Sequence, residues 1–253
     1  MNPTIETNEA ATKCECGRMI SAEHLALAAA FPMVLRQDQC EACREAQERS
    51  EAKAATLQRE EEERDARKAR LVEIPPEMRR TQTGHPQFNP ELWGRVRDWR
   101  PDTLRWLGIV GGAGECKTRC MALLARKLIL EGYSLKWTTA VDFQEQVDML
   151  LNGERGDTRR SNEYFQACKT AGVLVMDDLG KNTWNPTMER RMFALVDFRK
   201  THDLPMLWTA NTDPLAMLPL LSADRGAPMI GRILEASHIE PVVLPQPELF
   251  PVR

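Results

Sequence analysis

A glycine-rich junction between two apolar segments constrains this chain more than any other feature. Residues 104–110 (LRWLGIV) have the composition of a buried strand, residues 117–133 have a helical pattern, and GGAGECKT lies between them. The junction fits the phosphate-binding pattern GxxxxGK[ST] except at Cys116, where the pattern has glycine. Glycines let backbone N–H groups surround phosphate oxygens at a helix N-terminus. The junction therefore predicts a nucleotide phosphate site.

The side chains of this loop have distinct predicted roles. Lys117 supplies a positive charge to the phosphates and acts in catalysis, and the Thr118 hydroxyl is a predicted magnesium ligand. A Cβ at Cys116 would stand close to the phosphates, so we expect either weaker binding or a re-shaped loop. A glycine-rich turn that merely joins a strand to a helix remains the alternative. The predicted nucleotide-binding residues are Gly111, Gly112, Ala113, Gly114, Glu115, Cys116, Lys117, Thr118 and Asp177.

Two adjacent acids follow a second apolar run. Residues 173–176 (VLVM) precede Asp177 and Asp178, about 60 residues after the phosphate loop. Asp177 can hold Mg²⁺ directly or through water, and Asp178 can orient or deprotonate an attacking water. Asn211 ends a further strand-like run, 204–211, where a polar side chain can position that water and so act in catalysis. Taken alone, Asn211 is more often a turn or cap residue.

Strand-like and helix-like runs alternate through the C-terminal part of the chain. Helical patterns separate five strand-like runs, at 104–110, 134–143, 172–178, 204–211 and 239–244. This alternation predicts an α/β domain with a mostly parallel five-stranded sheet between helices. We predict that the domain spans residues 104–253.

The N-terminal cysteines form two close pairs, CxC at Cys14 and Cys16 and CxxC at Cys40 and Cys43. The chain has seven cysteines, and its N-terminus lacks the basic start and apolar core of a signal peptide, so we expect a metal rather than disulfides. Four thiolates suit tetrahedral Zn²⁺, which predicts a zinc-binding module. A ligand set that includes His24, a pair of metal-free turns and a redox CxxC remain alternatives.

The zinc-binding module is predicted over residues 1–43. Residues 44–73 are rich in charged and helix-favouring side chains, and they predict a long solvated helix rather than a coiled coil. Pro75 and Pro76 end this helix, and residues 74–103 form a predicted linker. The tryptophans and arginines of the linker suit either nucleic-acid contact or packing onto the domain that follows.

Charge and composition exclude several protein classes. The 253 residues carry a formal net charge of −3 and are 42% hydrophobic, which excludes a generally basic nucleic-acid coat and a disordered polyampholyte. No apolar run approaches the ~20 residues that a membrane span requires. We therefore expect a cytoplasmic protein with no membrane partner.

Several motifs occur in a characteristic order: IPP at 74–76 followed by Arg79, the phosphate loop, DDLG at 177–180, TAN at 209–211 and MIGRILEAS at 229–237. Over roughly residues 74–245 they resemble the DnaC/IstB group of AAA+ ATPases. The resemblance implies an AAA+ P-loop domain that hydrolyses ATP with Mg²⁺. It also implies that Arg232 acts in catalysis as a finger in the nucleotide site of a neighbouring subunit, with Arg225 as the competing candidate.

The same resemblance implies partners. It predicts an ATP-dependent loader or remodeller of a hexameric replicative DNA helicase on single-stranded DNA, which engages the helicase through its N-terminal module and assembles into a spiral or ring. A predicted loop at 152–162 carries the implied single-stranded DNA contacts Arg155, Arg159 and Arg160. The alternatives are an IstB-like helper of a DNA transposase and a nucleotide-insensitive helicase-binding adaptor, the latter because of Cys116.

Overall fold

The computed structural model describes residues 13–14, 16–31, 39–86, 88–102, 106–153 and 155–242, and contacts divide the chain into two units, Met1–Asp65 and Ala66–Arg253. The predicted strand residues 104–105 and 243–244 lie outside the described residues, as do residues 1–12 and 32–38 of the predicted zinc module. In the described part of the chain, no helix has the length and hydropathy to cross a bilayer.

The N-terminal part of the described chain, up to residue 73, is largely helical and highly exposed. Its helices are α1 (Ala22–Ala30) and α2 (Glu41–Ala69). No described residue of α2 is buried, and ion pairs one turn apart follow its surface, as between Arg49 and Glu45 at 2.7 Å. A 3-10 turn, Arg70–Glu73, comes after α2. The long solvated helix is thus present, and it begins three residues before the predicted start.

The C-terminal unit contains a five-stranded parallel sheet in the order β2-β3-β4-β1-β5. The strands are β1 (Trp106–Val110), β2 (Leu135–Thr139), β3 (Val173–Leu179), β4 (Met206–Ala210) and β5 (Ser237–Pro241). The helices are α3 (Pro90–Val96), α4 (Lys117–Leu130), α5 (Ala140–Asn152), α6 (Arg155–Thr170), α7 (Pro186–Thr201) and α8 (Gly226–Ala236), with a 3-10 helix at Pro214–Leu220. The predicted fold class is confirmed. β5 begins earlier than predicted because α8 leads into it without a loop.

Helices cover both faces of the sheet. Because successive side chains of a strand point to opposite faces, each strand contributes to two cores. Leu107 and Val175 belong to a core that includes α3 and α4. Leu174 and Trp208 belong to the opposite core, which α5 to α8 complete. All five parallel strands end at the same edge, so the loops after β1, β3 and β4 are brought together there.

The close approach of β1 and β4 depends on one glycine. A Cβ at Gly108 would lie 2.1 Å from Trp208 Cζ2, because the fully buried indole covers this position. The indole N–H of Trp208 donates a hydrogen bond to Ser237 Oγ at 2.9 Å. A glycine in the middle of a strand, usually unfavourable, is here the residue that admits a large side chain from the neighbouring strand.

The segment predicted as a linker supplies part of the core. Ile74, Leu92, Val96 and Trp99 are buried against α4. Asn89 caps α3 by accepting a hydrogen bond from Leu92 N at 2.9 Å. Of the two roles considered for the linker tryptophans, Trp99 therefore has the packing role.

The prediction of a loop at residues 152–162 was wrong. α5 ends at Asn152 and α6 begins at Arg155, so a helix replaces most of the expected loop. The segment reads as polar because the helix is exposed: Arg159 is 82% exposed and pairs with Glu163 one turn away at 2.8 Å. The side chain of Arg155 lies outside the described part of the structure.

Candidate functional site

The phosphate loop follows β1 and leads directly into α4. Gly114 has φ +82°, and Cys116 has φ +67° and ψ +14°, which is the left-handed region. A residue with a Cβ pays ~1–2 kcal/mol for this conformation, which explains why the pattern prefers glycine. Cys116 therefore carries its side chain on a left-handed backbone, the conformation that glycine adopts at least cost.

The thiol of Cys116 lies near two neighbours outside the loop. Burial raises the pKa of Cys116, and contacts with the Asn89 backbone and the Cys120 side chain oppose this rise only in part. The thiol is therefore protonated and uncharged at neutral pH. It adds bulk to the loop without adding a negative charge beside the phosphates.

Lys117 lies at the centre of the site. Its Nζ donates hydrogen bonds to the carbonyls of Gly111 at 2.7 Å and Gly112 at 2.6 Å, and to Asn211 Oδ1 at 2.9 Å. Burial lowers the pKa of Lys117, and the nearby Glu115 carboxylate opposes this shift. The ammonium is thus held between the phosphate loop and the tip of β4.

A hydroxyl cluster fixes the first acid of β3. Thr118 Oγ1 donates to Asp177 Oδ1 at 3.1 Å, and Thr209 Oγ1 donates to the same oxygen at 2.5 Å. Asp177 is buried, which raises its pKa, while the bond from Thr209 lowers it. The predicted magnesium ligands Thr118 and Asp177 therefore lie in direct contact, and hard oxygen donors of this kind suit Mg²⁺.

Sequence reasoning missed Thr209. Besides its bond to Asp177, its Oγ1 accepts a hydrogen bond from Asp178 N at 2.9 Å. One fully buried hydroxyl on β4 thus bonds both the carboxylate of Asp177 and the backbone N–H of Asp178. The available signal was the TAN motif itself, in which a threonine lies two residues before the predicted polar tip Asn211.

The second acid lies in a sharp turn. Asp178 has φ +57°, and Gly180 has φ +92°. A Cβ at Gly180 would lie 2.6 Å from Met217 Cε, which is the movable end of a flexible side chain, so it is the left-handed backbone that favours glycine here. Left-handed residues concentrate at functional sites because the surrounding structure must hold them there.

A cavity of about 200 Å³ opens at this edge of the sheet. It brings together most of the predicted residues, together with Met78 from the former linker. Its lining consists of Met78, Ala113, Gly114, Glu115, Cys116, Lys117, Thr118, Arg119, Asp178, Lys181 and Asn211. Asp177 does not line the cavity, but it accepts a hydrogen bond from Thr118, which does.

The two finger candidates do not line this cavity. Arg232, on α8, pairs with Asp197 at 2.8 Å, and its guanidinium lies 4.8 Å from the centre of the Phe193 ring. Arg225 pairs with its neighbour Asp224 at 3.4 Å. Both arginines thus have ion-pair partners outside the nucleotide cavity of their own chain.

The four N-terminal cysteines form a separate cluster. The Sγ atoms of Cys14, Cys16, Cys40 and Cys43 all lie within 4.8 Å of one another, and Cys16 Sγ and Cys40 Sγ are 3.7 Å apart. Tetrahedral zinc with Zn–S bonds of ~2.3 Å places its sulfurs ~3.8 Å apart, so the donor set and spacing fit zinc. The four cysteines complete this set without His24.

Two tight turns present these thiols. Gly17, at φ +84°, donates to Cys14 O at 2.8 Å, and an antiparallel bridge from Lys13 to Met19 closes the first turn. Cys40 O accepts from Cys43 N at 3.0 Å in the first turn leading to α2. Backbone hydrogen bonds from Cys40 and Cys16 lower the pKa of Cys14 to about 6, whereas side-chain bonds to the neighbouring thiols raise the pKa of Cys43. Within the cluster, the thiolate that a metal needs is thus favoured first at Cys14.

The sequence matches no protein-family model and no curated protein. Solved structures do match the fold. DnaI matches with TM-score 0.53 and 21% identity over 68% of this chain and 93% of the DnaI chain. Domain III of the Thermotoga maritima replication initiation protein DnaA matches with TM-score 0.52 and 15% identity over 68% and 70%. The chain has the AAA+ fold.

A third solved structure also matches this domain. DnaA bound to AMPPCP and single-stranded DNA matches with TM-score 0.50 and 15% identity over 61% of this chain and 45% of that one. The chain therefore spans less than half of the length of that DnaA chain. The resemblance to the DnaC/IstB-like AAA+ group is confirmed at the level of fold.

The left-handed cysteine provides a direct test of the AAA+ phosphate loop. Replacing Cys116 with Gly removes the backbone strain, and we expect it to stabilise the fold by up to ~1 kcal/mol and to tighten ATP binding. Cys116→Ala is the matched control, because it removes the thiol but keeps the Cβ. Urea unfolding and titration with labelled ATP measure both effects. Equal behaviour of the glycine and alanine variants would contradict the account.

Proposed function

We propose that the C-terminal unit binds and hydrolyses ATP. The observation that carries this proposal is the convergence of Lys117, Thr118, Asp178 and Asn211 around one cavity, with Asp177 bonded beneath it. The solved DnaA structure with AMPPCP supports it, since that protein binds a nucleotide analogue on the same fold.

Each residue has a task in this proposal. Lys117 exchanges its carbonyl partners for phosphate oxygens, and Thr118 and Asp177 hold Mg²⁺, which neutralises phosphate charge when bound. Asp178 orients or deprotonates the attacking water, and Asn211 helps to position it. Thr209 keeps both acids in place.

We propose further that Arg232 completes the site of a neighbouring subunit within a spiral or ring. In this chain Arg232 is about one-third exposed and is held by an acid and an aromatic ring outside the nucleotide cavity. A guanidinium added from a second subunit stabilises transition-state charge, with effects of ~10³–10⁵ in rate in other nucleotide hydrolases. Hydrolysis then depends on assembly.

Mixed assemblies test this arrangement. Arg232→Ala and Lys117→Ala variants should each be nearly inactive, because one lacks the finger and the other lacks phosphate binding. Mixed together, they should recover part of the turnover, since some sites combine an intact loop with an intact finger. Phosphate release measured across mixing ratios provides the result. Absence of any recovery would exclude a shared site, and the same mixture with Arg225→Ala separates the two candidates.

The cellular role we propose is ATP-dependent loading or remodelling of a hexameric replicative helicase on single-stranded DNA. The match to DnaI over most of its chain supports this role, and the four-cysteine module is the proposed helicase contact. Arg159 and Arg160, both more than 80% exposed on α6, are the proposed DNA contacts, with Arg155 as a third.

A loading assay tests the role. The full chain is incubated with the replicative hexameric helicase of the same organism, circular single-stranded DNA and ATP, and helicase on the circle is measured after gel filtration. We expect loading to fail with Lys117→Ala, to lose helicase capture with Cys14→Ser/Cys16→Ser, and to weaken with Arg159→Gln/Arg160→Gln. Capture of a transposase in place of the helicase would favour the IstB-like alternative. Helicase capture without any ATP binding would favour the adaptor.

A further inference from the structure

A second lysine reaches the nucleotide cavity from the turn after β3. The left-handed residues Asp178 and Gly180 reverse the chain, and Lys181 N donates to Asp178 O at 3.1 Å, which closes the turn. The side chain of Lys181 is thereby directed back over the end of the strand. Neither the phosphate-loop pattern nor the paired acids assign a role to this residue.

The ammonium of Lys181 contacts the acid that we propose to orient water. Its Nζ lies 2.7 Å from Asp178 Oδ2, and the two side chains are 50% and 27% exposed. Lys181 lines the same cavity as Lys117 and Asn211. The cationic side chains that line the cavity are Lys117 and Arg119 from the start of α4 and Lys181, which lies beside Asp178.

The location of the Lys181 ammonium determines which phosphate of a nucleotide it can contact. Backbone N–H groups of the loop surround the inner phosphates, whereas Asp178 and Asn211 lie where the terminal phosphate reacts. The Asp178 carboxylate alone would repel the terminal phosphate. A lysine ammonium has three donors, so it can keep one bond to Asp178 and add another to a phosphate oxygen.

We propose that Lys181 is a γ-phosphate contact supplied by the same chain, which bridges Asp178 and the terminal phosphate and makes the site prefer ATP to ADP. This inference rests on the proposed ATP-binding function. The partly exposed ion pair with Asp178 contributes little by itself, so Lys181 loses little on adding a phosphate partner. The bridge offsets the repulsion between carboxylate and phosphate while Asp178 stays oriented.

Nucleotide affinity of the full chain tests the proposal. The dissociation constants for ATP and ADP are measured with Mg²⁺ by competition with a fluorescent nucleotide. We expect Lys181→Gln to weaken ATP binding about tenfold, the scale of one lost charge-assisted hydrogen bond, and to leave ADP binding within about twofold. Lys181→Arg should keep most of the preference because it retains the charge.

A matched control separates a lost phosphate contact from a lost surface ion pair. Lys200 pairs with Glu235 and does not line the nucleotide cavity. Lys200→Gln should leave both dissociation constants unchanged. Far-UV circular dichroism and the melting temperature verify that the variants fold.

Each outcome is decisive. An unchanged ATP-to-ADP affinity ratio in Lys181→Gln, or equal weakening of both nucleotides, overturns this inference and leaves ATP binding by the site intact. An unmodified chain that binds neither nucleotide overturns the inference together with the proposed function. Loss of the preference in Lys181→Gln with recovery in Lys181→Arg supports it.

Discussion

Asp178→Asn lowers ATP turnover by at least ~100-fold, whereas ATP affinity stays the same or increases. The carboxylate is the group that orients or deprotonates water, and an amide of the same shape cannot accept the proton. Binding is spared because Lys117 and Thr118 do not depend on Asp178 for their contacts, and loss of a negative charge beside the terminal phosphate favours binding. Steady-state phosphate release and nucleotide titration separate the two effects.

Asp203→Asn is the matched control for this substitution. Asp203 also has a left-handed backbone, with φ +50°, but it lies after α7 and does not line the nucleotide cavity. Asparagine tolerates this conformation well, so both variants should fold. Turnover should remain normal in Asp203→Asn. Normal turnover in Asp178→Asn would remove this acid from the mechanism.

We expect that removal of zinc from the proposed four-cysteine site unfolds the N-terminal module. Its described core consists of Cys14, Ile20 and Cys40 with Leu25 and Cys43 packed against it, and most of this core is the thiols themselves. So small an apolar core cannot offset the entropy of ordering the chain, whereas structural zinc contributes ~10–16 kcal/mol in comparable small modules. Chelation or Cys40→Ser should therefore abolish the ordered module.

The metal prediction has three measurements. Protein purified without chelator should contain one zinc per chain by elemental analysis, and Cys40→Ser should contain none. Limited proteolysis should then cut within residues 13–43, while ATP affinity stays within about twofold because the cavity belongs to the C-terminal unit. Cys168→Ala, at a buried cysteine of that unit, should keep its zinc. Absence of zinc in the unchanged protein would contradict the assignment.

Linear patterns made much of the site predictable. The phosphate loop, the paired acids and the two cysteine pairs are each short in sequence, so residue type and spacing identify them without a fold. Alternating strand and helix patterns also sufficed for the parallel sheet. Two expectations failed for a similar reason. The first turns of α6 are mostly polar and resemble a loop, and residues 74–103 have too few apolar residues to reveal that Ile74 and Trp99 are buried.

Other residues of the site could not be predicted from the sequence, because their roles arise from contacts between distant segments. Thr209 is one of several strand threonines until β4 is placed beside β3 and its hydroxyl meets both acids. Lys181 is an ordinary loop lysine until the turn directs it to Asp178. Met78 lines the cavity only because the former linker packs against α4.

The direct passage from α8 into β5 gives Arg232 a mechanical connection to the phosphate loop of its own chain. β5 pairs with β1, Val242 N donates to Val110 O at 2.7 Å, and a Cβ at Gly111 would lie 2.8 Å from Val242 Cβ. Because no loop separates α8 from β5, a shift of α8 along the chain would reach the backbone beside the first glycine of the phosphate loop.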